Sequence, residues 1–452
     1  MHTRQTHTPS HHWWPQQGLI GWLNLALTAP TVYLFIGLPL VLRQHGWSGT
    51  EIGLLQLAGL PAMLKFALAA PIERWPLRLG HAAVRGGADR GDADRHCALN
   101  YRNWALALGL AYAAALLALA LHPLHNTTPQ TLFALLMLAN LLGTWADVPI
   151  NALAIRILPP SEHTRAGAIR SAATSLGAIA GGGLMLVLHA RLGWFWPFAA
   201  LAAAVLIGIL ALLLLPLHTS ATTAAIPPPP QGAGQPPEAA HQKARLTDVP
   251  ANVLAYFQPK PRRAWALLLL CYFPAVGAGW VYLKPLMLDQ GFAEEHIAWG
   301  VGVAGGLLSA LASLLAARLI QTLGARRALP LFACFNLLAM AALSAAVVTG
   351  LGKPALLAAA TALAMAMGAS AALLFGLMMR HTRTPLQALD YGIQSSLFIS
   401  TRSLAPLLAG LLLDRLGYGA MLGALTVWLA LVCALSWRLR DAVAASPSAQ
   451  QD

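Results

Sequence analysis

Charge is what this sequence has least of. Of its 452 residues only 10% are Asp, Glu, Lys or Arg, against 57% hydrophobic, and the mean hydropathy is +0.61. A soluble globular domain carries about 25% charged residues, so that class is excluded. Cysteine is scarce as well. Cys97, Cys271, Cys334 and Cys433 stand apart with no C-x-x-C pair, which argues against a disulfide framework or a zinc site. The sequence also lacks a GxxxxGK[ST] nucleotide loop, an HExxH helix and a GxSxG elbow, so it holds no engine of its own. No nucleophile, base and orienting group can be assembled, and the chain is expected to be neither an enzyme nor the holder of a cofactor or metal. His2, His7, His11 and His12 are irregularly spaced in a polar arm and read as solvated.

What is abundant is long apolar runs. A bilayer crossing needs about 20 apolar residues, and such runs fall at 19–42, 51–71, 103–121, 130–153, 168–189 and 195–217, then at 265–288, 297–320, 328–349, 354–379, 389–413 and 418–437. The expected protein is all-α, integral to a membrane, with twelve spans. A net charge of +13 raises the question of nucleic acid. With both ends placed inside, 22 of the 29 Lys and Arg fall on the inner arm, loops and tail or, as Arg170 and Arg318 do, at the inner ends of spans, and five fall on the outer loops or, as Lys284 does, at a span's outer end, while Lys65 and Arg402 lie deeper within spans. That bias is the positive-inside rule, so the basic balance records topology and not a nucleic-acid partner. Residues 1–17 offer no small-residue cleavage site, and the first span is expected to act as its own targeting signal.

The two sets of six spans resemble each other. PLVLRQHGWSGTEIG (39–53) lies over PLMLDQGFAEEHIAWG (285–300) at an offset of 245, and MLVLHARLGW (185–194) over GLLLDRLGY (410–418) at an offset of 224. The predicted units are a cytoplasmic arm (1–18), a six-helix bundle (19–217), a Pro- and Gly-rich cytoplasmic linker (218–263), a second bundle (264–440) and a tail (441–452). The change of offset places 21 extra residues in the first half, assigned to a solvated insertion at 80–102. Its Asp89, Asp92 and Asp94 alternate with arginines and lack the spacing of a calcium loop. Two parallel six-helix repeats joined by a long central loop resemble the construction of the major facilitator superfamily of secondary transporters. That superfamily's short loop motif survives in part as RLIQTLGARR (318–327) and shrinks to PIERW (71–75) in the first half.

Polar residues inside the spans are spaced, not scattered. Asn140, Thr144, Asp147 and Asn151 follow one another at intervals of 4, 3 and 4, which keeps them on one helix face. An unpaired carboxylate at the centre of a membrane helix costs at least about 2.5 kcal/mol, so this face is expected to meet a wet cavity or another helix. Asn24, Thr28 and Thr31 continue to Phe35 with the same spacing in the first span, and Tyr391, Ser395, Phe398 and Arg402 do so in the eleventh. Three such stripes are expected to converge on a path, although interhelical hydrogen bonds are the alternative for Asn, Ser and Thr. Lys65 and Asp147 fall at similar depth, which predicts a pair in which a proton can replace the ammonium. Lys65 and Arg402 would favour an anionic solute.

GLPAMLKFALAAPIERW (59–75), ADVPINALAIRILPPSEHTRAGAIR (146–170), GGG (181–183) and ALDYGIQSSL (388–397) resemble the branch of the superfamily that holds muropeptide permeases, acetyl-CoA transporters and permeases for pyochelin- and rhizobactin-type siderophores. In that family the fourth span usually reads Gln-Asp-Ile-Ala-x-Asp. Here Ala146 stands for the glutamine, Asp147 keeps the first acid and Asn151 replaces the second. Asp390, Tyr391 and Gln394 match the siderophore permeases better than the muropeptide ones. The resemblance implies a monomeric permease of the bacterial inner membrane, in contact with lipid and with a small anionic substrate, importing a ferric siderophore with protons. Asp147 and Asp390 would be the coupling acids. Muropeptide uptake is the alternative, and a scaffold without transport is disfavoured because it has no reason to hydrate its centre.

Overall fold

The computed structural model describes residues 13–47, 49–77, 90–124, 127–215, 249–384 and 386–445. The predicted arm before Trp13, the tail beyond 445, most of the linker and the start of the insertion lie outside these residues. Among the described residues all of the regular structure is helical. In chain order the first half holds α1 (Trp14–Gln44), α2 (49–74), α3 (Arg90–Leu121), α4 (Pro129–Ile157), α5 (Pro160–Leu192) and α6 (Phe195–Ala211). The second half holds α7 (Lys260–Asp289), α8 (Glu295–Leu323), α9 (Ala325–Val348), α10 (Lys353–Arg380), α11 (387–416) and α12 (418–444).

Local chemistry sets the ends and breaks. Pro129 starts α4 at a position whose N–H is unpaired in any helix, and the Thr128 hydroxyl accepts from the Thr131 amide at 3.3 Å to cap it. Gly417 joins α11 to α12 with φ at 79°, a left-handed corner that a side chain would resist. Inside α2, Gly59 and Pro61 hold residues Gln56–Leu64 in a 3-10 turn. Helix α7 breaks at Tyr272 and Phe273, just before Pro274. Both α1 and α5 widen to π turns, at Tyr33–Gly37 and Ala180–Leu184, where Gly181 sits against the Ala29 carbonyl too closely for any side chain.

The two halves meet along α5 with α8 and α10, and along α2 and α4 with α11. Glycine and serine make that seam tight. Gly167 of α5 lies directly on the Gly376 backbone of α10, and a Cβ on Gly392 of α11 would come within 3.0 Å of the Lys65 carbonyl. Ser171 bonds Ser313 at 2.8 Å, and Ser175 bonds Ser309 at 3.1 Å.

Two stretches read as solvated differ from that expectation. Residues 90–102 continue α3 as helix, with Tyr101 buried. There the Asn100 side chain donates to the Ile72 carbonyl and accepts from the Leu77 amide, both at 2.9 Å, while Asn103 donates to the Leu77 carbonyl at 2.8 Å. The end of the linker is also ordered. A short helix, Val249–Tyr256, precedes α7, and its Asn252 carbonyl accepts from Arg383 at 3.0 Å.

Candidate functional site

Asp147 sits on the buried face of α4, where Pro149 interrupts the helix a half-turn later. Lys65 begins the α-helical part of α2 and donates to Asp147 Oδ2 at 2.5 Å. Asn151, one turn on, donates to Asp147 Oδ1 at 2.8 Å and to the Asp147 carbonyl at 2.7 Å. Arg170 of α5 donates through Nη1 to Asn151 Oδ1 at 2.6 Å and lies 3.5 Å from Asp147 Oδ1 through Nη2. One carboxylate therefore faces two cations, and the cluster keeps a net positive charge. The cluster is buried in protein: Lys65, Asp147 and Arg170 are each less than 9% exposed and Asn151 is fully buried.

The network reaches across the two halves through Arg170. Its guanidinium lies 4.6 Å from the Phe375 ring of α10 and 5.0 Å from the Tyr391 ring of α11, the geometry of cation–π attraction. Arg170 Nε and the Tyr391 hydroxyl are both buried and have no hydrogen-bond partner among the described residues. Orphaned donors beside a cationic cluster are the groups a polar ligand or water would satisfy.

Toward the face that carries both chain ends the halves are latched. Glu73, two residues past the second predicted span, accepts from Tyr101 Oη at 3.0 Å and from the amides of Ala388 and Leu389, at 2.9 and 3.4 Å. These amides open α11, where a carboxylate meets the positive end of the helix dipole. Burial pushes the Glu73 carboxyl up to about 7 against the opposing pull of these bonds. Beside it, Phe66 N donates to Ser396 Oγ at 3.2 Å. The hydrogen bonds that join the halves at Phe66–Ser396, Tyr101–Gln387, Glu73–Ala388, Ser171–Ser313 and Ser175–Ser309 lie between this face and the Ser175–Ser309 level. Among the described residues the halves are thus fastened together on the side of the chain ends.

The structure joins some of the predicted residues and separates others. Lys65, Asp147, Asn151 and Tyr391 come together. Asn140 donates to the Ala58 carbonyl at 2.7 Å and ties α4 to the 3-10 turn of α2, and Thr144 is buried between it and Asp147. The α1 stripe turns inward on its own helix: Asn24 donates to Ile20, Thr28 to Asn24 and Thr31 to Leu27 carbonyls. Gln394 accepts from Trp265 at 2.6 Å and donates to the Met378 carbonyl at 3.0 Å, a bond set within the second half. Ser395 is buried, whereas Arg402 is exposed farther along the same face of α11. Asp390 lies in the first turn of α11, gripped by Arg383 through Nη2 at 2.6 Å, Nε at 2.9 Å and the backbone amide at 2.7 Å. It is fully buried and separate from the Asp147 cluster. Arg170, Glu73 and Tyr101 were not expected. Arg170 reads from the sequence as a loop cation, yet it stands buried about two turns past His163 in α5, where its proximity to the start of an apolar run is the available signal.

A family model described as Major Facilitator Superfamily matches residues 93–398. Among solved structures, the E. coli fucose:proton symporter FucP is similar at 17% identity, covering 95% of this chain and 98% of its own, with a TM-score of 0.65. The human organic anion transporter MFSD10 (TETRAN) matches at 18% identity over 95% of this chain and 100% of its own, TM-score 0.67. A bacterial homologue of the iron transporter ferroportin, in an outward-facing state, matches at 13% identity over 94% and 99%, TM-score 0.64.

Proposed function

The chain belongs to the Major Facilitator Superfamily of secondary transporters, and from that premise we propose that it imports an anionic solute together with a proton by alternating access. The observation that carries this reading is the Asp147 carboxylate held between Lys65 and Arg170 at the meeting of the two halves. An anion arriving there draws the two cations toward itself. Asp147 then loses its counter-charges in a place where a bare carboxylate is costly, and a proton takes their place. Solute and proton thus favour each other's binding, which is the thermodynamic content of symport. The likenesses to an organic anion transporter and to a proton symporter agree with both halves of this reading.

On the charge bias of the loops, the chain ends lie in the cytoplasm of a bacterium, the latch between α2 and α11 closes that side, and the opposite side faces the periplasm. The protein then stands ready to take up solute from outside. We assign the solute to the ferric siderophores on the branch resemblance of residues 388–397 and the others quoted above. The test is uptake of radioiron, offered as a panel of purified ferric siderophores, by inverted-membrane-free intact cells with and without the gene and with and without a protonophore. Gene-dependent, protonophore-sensitive uptake of one complex is expected. No gene-dependent uptake across the panel would remove the siderophore assignment.

A further inference from the structure

Two of the four cysteines, 99 residues apart in sequence, meet inside the second half. Cys334 of α9 and Cys433 of α12 have their sulfurs 2.9 Å apart, both as free thiols. A disulfide places its sulfurs about 2.05 Å apart, so a shift of under about 1 Å joins them. The two helices are packed against each other along their length, which holds the thiols in register. Both side chains are only partly buried, on helices apolar and long enough to lie within a bilayer. A charged oxidant is disfavoured there and a lipid-soluble one can reach them.

We propose that Cys334 and Cys433 form an oxidation site, in which a lipid-soluble two-electron oxidant such as a quinone converts the thiol pair to a disulfide that staples α9 to α12. Both S–H bonds break and one S–S bond forms. The two protons and two electrons pass to the quinone, which leaves as the quinol. The staple lies beside Tyr272, whose hydroxyl donates to the Leu329 carbonyl of α9 at 2.7 Å and which marks the break in α7. The next residue, Phe273, packs on Phe398 of α11 at 5.1 Å between ring centres. Oxidation would therefore stiffen the scaffold behind a broken helix that borders the path.

The test uses the full-length protein in its own membranes. Membranes are treated with a short-chain quinone, free thiols are blocked with N-ethylmaleimide, and the denatured protein is reduced and labelled with a polyethylene-glycol maleimide. The expected result is protection of two of the four thiols, seen as a doubly shifted monomer band. Cys334→Ser and Cys433→Ser should each abolish the shift, and Cys97→Ser and Cys271→Ser should leave it intact. Mass spectrometry of wild-type digests provides a readout without variants: a linked peptide pair containing residues 334 and 433, two hydrogens lighter than the thiol forms. No protected thiols in the oxidised wild type, or a shift that survives Cys334→Ser, would overturn the proposal.

Discussion

Asp147 has two cationic partners, and neutralising it has two separable effects. Asp147→Asn leaves Lys65 and Arg170 buried without a counter-charge, so we expect about 3–5 kcal/mol of lost stability, read as a lower melting temperature in detergent. Adding Lys65→Met should recover most of that stability and none of the solute accumulation, because no titratable group then remains at the centre of the cluster. Recovery of accumulation in the double variant would remove Asp147 from the coupling step. Arg170→Lys keeps the charge but loses the planar fork and the stacking on Phe375 and Tyr391, and uptake should fall by about tenfold. At this scale Asp147 and Lys65 were legible, because a charge inside an apolar run is conspicuous. Arg170 was not, since a cation near the start of a span counts equally well as a loop residue until the fold buries it.

Among the elements, the latch between α2 and α11 is the one that answers to pH. Burial raises Glu73 from the ordinary 4.5 to about 7. In an open, hydrated state the carboxyl returns toward 4.5, so the closed state binds the proton more tightly and is favoured by protonation. Closure is thus strongest at low pH and weakens as pH rises through about 7. A cysteine placed at Thr164, which lies against Gly376 in the closed seam, should react with maleimide faster at about pH 8 than at about pH 6, where Glu73 is mostly neutral. Glu73→Gln keeps an acceptor oxygen for the α11 amides and cannot ionise, so the reaction should stay slow at both values. Gly167→Val should act oppositely, forcing α5 off the Gly376 backbone and making Thr164→Cys reactive throughout. The sequence shows why α2 bends, through Gly59 and Pro61. It could not show the latch, which joins residues 315 positions apart, nor the helical continuation of α3, whose polar partners lie on another element.

For the whole molecule, the repeat at offsets 245 and 224 makes two six-helix halves readable in the sequence alone. Which end of the path is closed was unreadable, because the seam is made of glycine and serine contacts between halves that no periodicity encodes. On the proposed topology, Arg402→Cys should be labelled by a membrane-impermeant thiol reagent from the periplasmic side and protected by bound solute; labelling only from the cytoplasm would reverse the assigned orientation. One feature of the central cluster sets a limit on what the whole machine can achieve. Where the family resemblance has a second acid, Asn151 stands, and it spends its amide on Asp147. Among the described residues the cluster offers one ionisable carboxylate, and Glu73, at the latched face, exchanges its proton on that one side, so the proposed coupling carries one proton across per turnover. A singly charged anion would then cross with no net charge, so the membrane voltage could do no work on it and each unit of pH difference could sustain about a tenfold concentration ratio. A doubly charged anion would move against an interior-negative voltage at about 2.3 kcal/mol per 100 mV. The valence of the cargo, more than its affinity, would decide whether this carrier concentrates it or only lets it equilibrate.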